Sequence, residues 1–268
     1  MTTLAILGAG KMGEALLSGL LRSGTPPGDV IVSTRRADRA KALEEKYGVS
    51  AVSSADAAER GRTLLLAVKP QDMGALLAEM GHVVTPEQLV VSMAAGIPTS
   101  TIERQLPDGV PVVRVMTNTP ALVDEAMSVL SAGSHAAEVH LARAEDVFRH
   151  VGKVLRVPEY QQDAVTALSG SGPAYFFFLV EAMIDAGILL GLPRAVAADL
   201  MVQTAVGAAV MLRDSGEHPV QLREAVTSPA GTTINAIREL EKHGVRAAFL
   251  AAIEAASDRS NELARGQD

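Results

Sequence analysis

Short apolar runs alternate with longer amphipathic segments through the first 157 residues. The runs fall at 4–7, 30–32, 64–68, 89–91 and 110–115, with two weaker ones at 128–130 and 154–157. They are nearly continuously apolar, which suggests strands of a parallel sheet buried on both faces. Helical periodicity fills the gaps at 11–21, 37–47, 72–80 and 136–151. Gly48 follows Tyr47 where a C-cap glycine belongs. This βαβ alternation predicts a doubly wound α/β domain with a mostly parallel sheet.

Beyond about residue 160 the strand signal stops. Helices are predicted at 174–190, 194–213, 219–226, 233–242 and 246–263, separated by Gly191-Leu192-Pro193, Ser215-Gly216, Ser228-Pro229 and His243-Gly244. The domain division predicted is therefore 1–158 for the α/β part and 159–268 for an all-α part. The 174–190 segment is very apolar but carries Glu181 and Asp185, and reads as a buried helix rather than a membrane span. Several of these helices are apolar on more than one face. Ala205, Gly207, Ala208 and Ala209 leave room for close helix approach. A helix apolar all round needs partners on every side. The reading is a helical half that buries surface against a second subunit, with a compact monomeric bundle as the alternative.

Composition narrows the partners. The chain has 268 residues, 48% of them hydrophobic and 21% charged, and a net charge of −7. No basic run stands out, so neither nucleic acid nor an anionic membrane is an expected partner. There is no cysteine, and the six histidines are scattered, so no metal site is expected. Met1-Thr2-Thr3 lacks a basic leader region, and a cytoplasmic location is the expectation.

The strongest local motif is Gly8-Ala9-Gly10-Lys11-Met12-Gly13, which follows a predicted strand and opens a predicted helix. That context distinguishes a dinucleotide fingerprint from a glycine-rich turn. Gly8 permits the turn, Gly10 lets the backbone approach a pyrophosphate, and Gly13 lets the helix pack on the strand. The helix N-terminus offers free N–H groups and partial positive charge. An NAD site usually places an acid about 20 residues further on. Here that region reads Ser33-Thr34-Arg35-Arg36, with no acid. Hydroxyls and guanidinium groups suit a 2′-phosphate, so NADPH is the expected cofactor, with NADH as the second option. Arg35 and Arg36 are assigned the phosphate jointly. Two more strand ends should face the same crevice: Ala67-Val68-Lys69-Pro70 and Ala94-Ala95-Gly96. Lys69 fits either an anion contact or an exposed lysine.

Three further segments complete a pattern: 116–120 (Met-Thr-Asn-Thr-Pro, containing Asn118), 168–175, and 226–234 (Val-Thr-Ser-Pro-Ala-Gly-Thr-Thr-Ile). In order and spacing the chain resembles pyrroline-5-carboxylate reductase along essentially its whole length. The resemblance implies an N-terminal Rossmann-type domain and an all-α dimerisation domain. It implies reduction of L-1-pyrroline-5-carboxylate to L-proline, the final step of proline biosynthesis. It also implies a homodimer through the helical domain, with five dimers forming a decamer in several members. The substrate carboxylate is then held by the loop matching Ser228, Gly231, Thr232 and Thr233, and the hydroxyl that bonds the substrate nitrogen matches Thr233. Asn118 is carried over as a cofactor-side residue. Many members have Gly-Gly where this chain has Ala230-Gly231; if residue 230 needs a left-handed backbone the alanine carries a cost, and if not the exchange is silent.

The residues support such chemistry independently. Hydride addition to a protonated imine needs alignment more than a strong acid. A loop opening a helix at Gly231-Thr232-Thr233 can present N–H groups to an anion. The other reading of Thr233 is a helix-cap hydroxyl. A hydroxyacid dehydrogenase on the same architecture would call for a catalytic lysine in the helical half. The lysine there, Lys242, sits beside a predicted helix end. A non-catalytic nucleotide sensor would not need Ser228, Gly231 and Thr233, which are all present.

Overall fold

The computed structural model describes residues 4–265. Met1-Thr2-Thr3, on which the reading of the leader rests, lies outside them. Eight strands form one sheet: β1 (Leu4–Leu7), β2 (Val30–Ser33), β3 (Ser50–Ala51), β4 (Thr63–Leu66), β5 (Leu89–Ser92), β6 (Val112–Met116), β7 (Ala126–Ala132) and β8 (Gly152–Arg156). Their order is β3-β2-β1-β4-β5-β6-β7-β8. All neighbours pair in parallel except β6 with β7. The helices are α1 (Lys11–Arg22), α2 (Ala37–Tyr47), α3 (Ser54–Arg60), α4 (Met73–Met80), α5 (Thr99–Glu103), α6 (Glu138–Phe148), α7 (Gln162–Val165), α8 (Gly172–Leu189), α9 (Arg194–Asp214), α10 (Pro219–Ala225), α11 (Thr232–Lys242) and α12 (Val245–Arg265).

The continuous apolar strands have a simple cause. Leu4, Ile6, Val30, Val32, Leu65 and Val91 enter a core on one face of the sheet. Ala5, Leu7, Ile31, Leu64, Leu66 and Val90 enter a second core on the other face. Alternate side chains point to opposite faces, so a sheet covered on both sides needs apolar residues at every position. Gly48 closes α2 with φ +69°, in the left-handed region where glycine carries no Cβ penalty.

The chain divides into two compact units, one running to Ser171 and including the stretch from Ala256, the other Gly172–Ala255. The sequence places the boundary at 158. The difference traces to Arg114, a buried arginine in the middle of β6. Its guanidinium lies 3.5 Å from Glu159 and 3.8 Å from Asp163. Glu159 also accepts from the N–H and hydroxyl of Thr99, and Asp163 accepts from the hydroxyl of Ser260 (each 2.7 Å). A buried cation must be paired, and its partners bring 159–163 and the end of α12 into the sheet unit. The segment before α8 also differs from expectation. Thr166–Gly170 forms a π turn, with the Ser171 N–H donating to the Thr166 carbonyl. The helix α8 then begins at Gly172, with Pro173 in its first turn.

In the helical unit, α8 and α9 are long and apolar enough to cross a membrane by length and composition. The predicted burial of 174–190 does not occur within the chain. Phe176, Phe177 and Phe178 are each about two-thirds exposed or more. The physical reason is that a hairpin of two helices covers one stripe of each and leaves the rest open.

Candidate cofactor crevice and anion loop

The first site lies at the carboxyl ends of β1, β2 and β4. Leu7 is in register with Ser33 on one side and Leu66 on the other. The loops that leave these strands therefore start level with one another. The glycine turn is fastened to both neighbours. The N–H groups of Gly8 and Ala9 donate to the Ser33 carbonyl (2.9 and 3.0 Å), and the Ala67 N–H donates to the Leu7 carbonyl (2.8 Å).

Each glycine of the motif has a distinct geometric reason. Gly8 has φ +92°, and a Cβ there would lie 2.5 Å from a Val68 methyl. A Cβ on Gly13 would lie 3.0 Å from the Gly8 carbonyl and 3.2 Å from Ile6. On Gly10 it would meet nothing closer than 3.9 Å, so that glycine keeps an open face for a ligand rather than making room for protein. Gly10 is also the N-cap of α1 and supplies no side-chain cap, which leaves first-turn N–H groups for an anion.

A cavity of about 420 Å³ opens against this turn. It gathers Gly8, Gly10, Ser33, Thr34, Arg35, Arg36, Ala67, Val68 and Lys69 from the sequence-predicted set. Lys11, Met12 and Gly13 stand in α1 behind it, and Pro70 opens the next turn; none of the four lines the cavity. Ala94 points into the second core, and Ala95 and Gly96 sit beyond β5 without reaching the cavity wall. Asn118 is otherwise engaged. Its amide donates to the Ser169 carbonyl (3.1 Å), and its oxygen accepts from the Met127 N–H (3.1 Å). Its observed work is to join the start of a 3-10 turn to β7 and to the π turn.

Sequence reasoning missed six residues of this cavity: Ser54, Gln71, Asp72, Ala75, Leu76 and Glu79. Ser54, first residue of α3, shares a 3.0 Å hydrogen bond with Ser33. Asp72 follows β4 and holds Arg35 through two parallel bonds of 2.9 Å. Arg36 is paired with Asp38, which is held below its ordinary range by that guanidinium. Behind the turn, Glu14 accepts from Arg39, Lys46 and Tyr47. The Arg39 bond, opposed by burial and helped by Lys46 and Tyr47, brings the Glu14 carboxyl from 4.5 to about 2.

The second site is a loop of the helical unit, described by itself. Gly231 is the N-cap of α11, and its N–H donates to the Ser228 carbonyl (3.1 Å). A Cβ at Gly231 would lie 2.3 Å from the Ser228 hydroxyl and 3.2 Å from its carbonyl, so a side chain there would have to turn the Ser228 hydroxyl away. Ala230 has φ +57°, one of two non-glycine residues in the left-handed region among the described residues. The Asn235 amide donates to the Gly231 carbonyl (2.9 Å) and steadies the helix start. Thr232 is exposed and Thr233 half-buried in the first turn. The turn thus offers backbone N–H groups and two hydroxyls together, a suitable grip for a carboxylate.

The sheet order, the glycine turn and the crevice define a dinucleotide-binding oxidoreductase with a separate helical unit. Comparison with known proteins makes this specific. Residues 159–263 match the family described as "Pyrroline-5-carboxylate reductase dimerisation", and residues 3–96 match "NADP oxidoreductase coenzyme F420-dependent". The chain is 44% identical to the pyrroline-5-carboxylate reductase of Corynebacterium melassecola, over 99% of this chain and 100% of that one. It is also 44% identical to that of Methanosarcina acetivorans, over 98% of each. Among solved structures, the reductase of Coxiella burnetii superposes with a TM-score of 0.92 at 36% identity over 98% of each chain. The Plasmodium falciparum pyrroline carboxylate reductase with NADP bound superposes at 0.89, with 26% identity and 98% of each chain covered. The chain belongs to the pyrroline-5-carboxylate reductase family.

Proposed function

We infer that this protein reduces L-1-pyrroline-5-carboxylate to L-proline with NADPH, and with NADH as a second donor, as the last step of proline biosynthesis. The observation that carries the reading is the pairing, within one chain of this family, of a glycine-built dinucleotide turn with an anion-gripping turn at Gly231.

When bound, the reduced nicotinamide supplies a hydride to the ring carbon of the C=N bond. The residues of the chain do the rest. Gly8, Gly10 and the start of α1 receive the pyrophosphate, with Lys11, Met12 and Gly13 fixing the helix end. Ser33, Thr34, Arg35 and Arg36 surround the 2′-phosphate. Ala67 to Pro70 and Ala94 to Gly96 border the remaining cofactor, with Asn118 on the next strand end beyond them. Ser228, Gly231 and Thr232 hold the substrate carboxylate. The Thr233 hydroxyl accepts from the N–H of the protonated imine. Hydride addition leaves a lone pair on that nitrogen, to which the same hydroxyl then donates. Neither step needs a histidine or a metal ligand.

The exposed apolar faces of α8 and α9 support a homodimer through the helical unit. Burying one exposed phenylalanine contributes about 1.5–3 kcal/mol, so several apolar side chains along both helices are needed to offset the cost of association. The family resemblance supports assembly of five dimers. Net charge −7 and the absence of cysteine fit a cytoplasmic protein without nucleic-acid or membrane partners. The test is oxidation of NADPH by purified protein. Activity with pyrroline-5-carboxylate and little with 2-keto acids is expected. Clean activity on a 2-keto acid and none on the imine would overturn the assignment.

A further inference from the structure

We propose that Arg35 and Asp72 form a cofactor selector at the adenosine end of the crevice, Arg35 serving a 2′-phosphate and Asp72 a bare ribose 2′-hydroxyl. The proposal rests on the reading of the 420 Å³ cavity as the pyridine-nucleotide site.

The end of β2 carries Ser33, Thr34, Arg35 and Arg36, and no acid. In a dinucleotide fold an acid at that place receives the ribose 2′-hydroxyl of NADH. The structure brings one from elsewhere. β2 and β4 flank β1 in register, so their exit loops stand on either side of the glycine turn. Asp72 ends the 3-10 turn Pro70–Asp72 after β4, and its N–H is fixed to the Lys69 carbonyl (2.9 Å). Its carboxylate meets the Arg35 guanidinium in a two-bond fork, and both residues line the cavity with Gly8 and Gly10.

The pair is built to exchange partners. The Arg35 side chain is 80% exposed and that of Asp72 22% exposed, and ion pairs so open to water are weak. A phosphate offers Arg35 the same forked geometry with more charge. It is also repelled by Asp72, so NADPH opens the fork. With NADH the fork stays closed, and the carboxylate remains as an acceptor for the 2′-hydroxyl. Arg36 pairs instead with Asp38, two residues on, so the carboxylate of Asp72 has Arg35 as its partner.

The test uses the full chain and the nicotinamide fluorescence of NADPH and NADH to obtain both Kd values. Asp72→Asn is expected to raise the Kd ratio of NADH over NADPH up to about fivefold, and Arg35→Ala to lower it up to about fivefold, changes on the scale of single surface charge contacts. Asp72→Ser should repeat the first shift and Asp72→Glu should return the ratio to that of the parent. A ratio unmoved by Asp72→Asn and Asp72→Ser, but lowered by Arg35→Ala, overturns the selector and leaves the cavity assignment standing. Absence of binding by the parent, or a ratio unmoved by Arg35→Ala plus Arg36→Ala, overturns both.

Discussion

The guanidinium of Arg39 reaches from α2 to the glycine turn, where its Nε donates to the Ala9 carbonyl at 3.3 Å. The same side chain pairs with Glu14 near the start of α1. One arginine therefore fastens the glycine turn to the helix behind it.

This link makes the turn sensitive to acid. Glu14 titrates at about 2 in the folded protein, against 4.5 ordinarily. Its folded value is lowered, so the stability it contributes is fully present above about 4.5 and is lost as pH falls toward 2. Hydrogen bonds to charged groups contribute about 1.5–3 kcal/mol. Glu14→Gln is expected to lower the urea-unfolding free energy by roughly that amount at pH 7 and much less near pH 3. An equal deficit at both values would show that the carboxylate charge is not what holds the turn.

How much of this was legible beforehand depended on whether a feature was local. The α2 boundaries and its Gly48 cap follow from periodicity and one glycine, both readable in sequence. The roles of Gly8, Gly10 and Gly13 follow from a motif whose geometry is set within one turn. The strand β3 is only two residues long and partly exposed, so it leaves no hydrophobic pattern, and with it α3 and Ser54 escaped notice. Asp72 was illegible for a different reason. It lies 37 residues from Arg35, and only the β2-β1-β4 order makes them neighbours. The extension of the sheet unit past 158 was hidden in the same way, because a buried Arg114 in an apolar strand gives no sign of which distant acids it will recruit.

The turn before α11, proposed to hold the substrate, has a left-handed residue that is not glycine. Ala230 adopts φ +57°, where an L side chain costs about 1–2 kcal/mol and glycine does not. Glycine also loses more freedom on folding, roughly 0.4–1 kcal/mol. Ala230→Gly is therefore expected to raise stability by about 0.5 kcal/mol and to leave the KM for the imine little changed. Ala230→Val, branched at Cβ, should destabilise and raise that KM. A glycine variant with a much higher KM would show that the Ala230 methyl itself supports the loop.

The apolar faces of the helical unit should be interface. Phe177 is 68% exposed on α8 and stands beside Val206 of α9 in a shallow groove. Phe177→Asp is expected to shift the mass measured by light scattering to that of a smaller assembly, and to lower Tm. An unchanged mass would move the interface away from this face of α8.

Thr233 is the hydroxyl assigned to the ring nitrogen. Thr233→Ala is expected to reduce kcat about 10²-fold or more, in the range of a lost transition-state hydrogen bond, with NADPH binding unchanged by nicotinamide fluorescence. Thr233→Ser should restore most of the loss. A variant with full activity would leave Thr233 as a helix-cap hydroxyl only.

The most direct measurement follows the hydride itself. NADPH carrying deuterium at the transferable C4 position is mixed with the protein and L-1-pyrroline-5-carboxylate, and the product is examined by mass spectrometry and NMR. The expected product is L-proline with a single deuterium on C5, the carbon that was doubly bonded to nitrogen. Proline formed without deuterium at C5, or cofactor oxidised with no proline formed, would contradict transfer from a bound nicotinamide to the carbon–nitrogen bond.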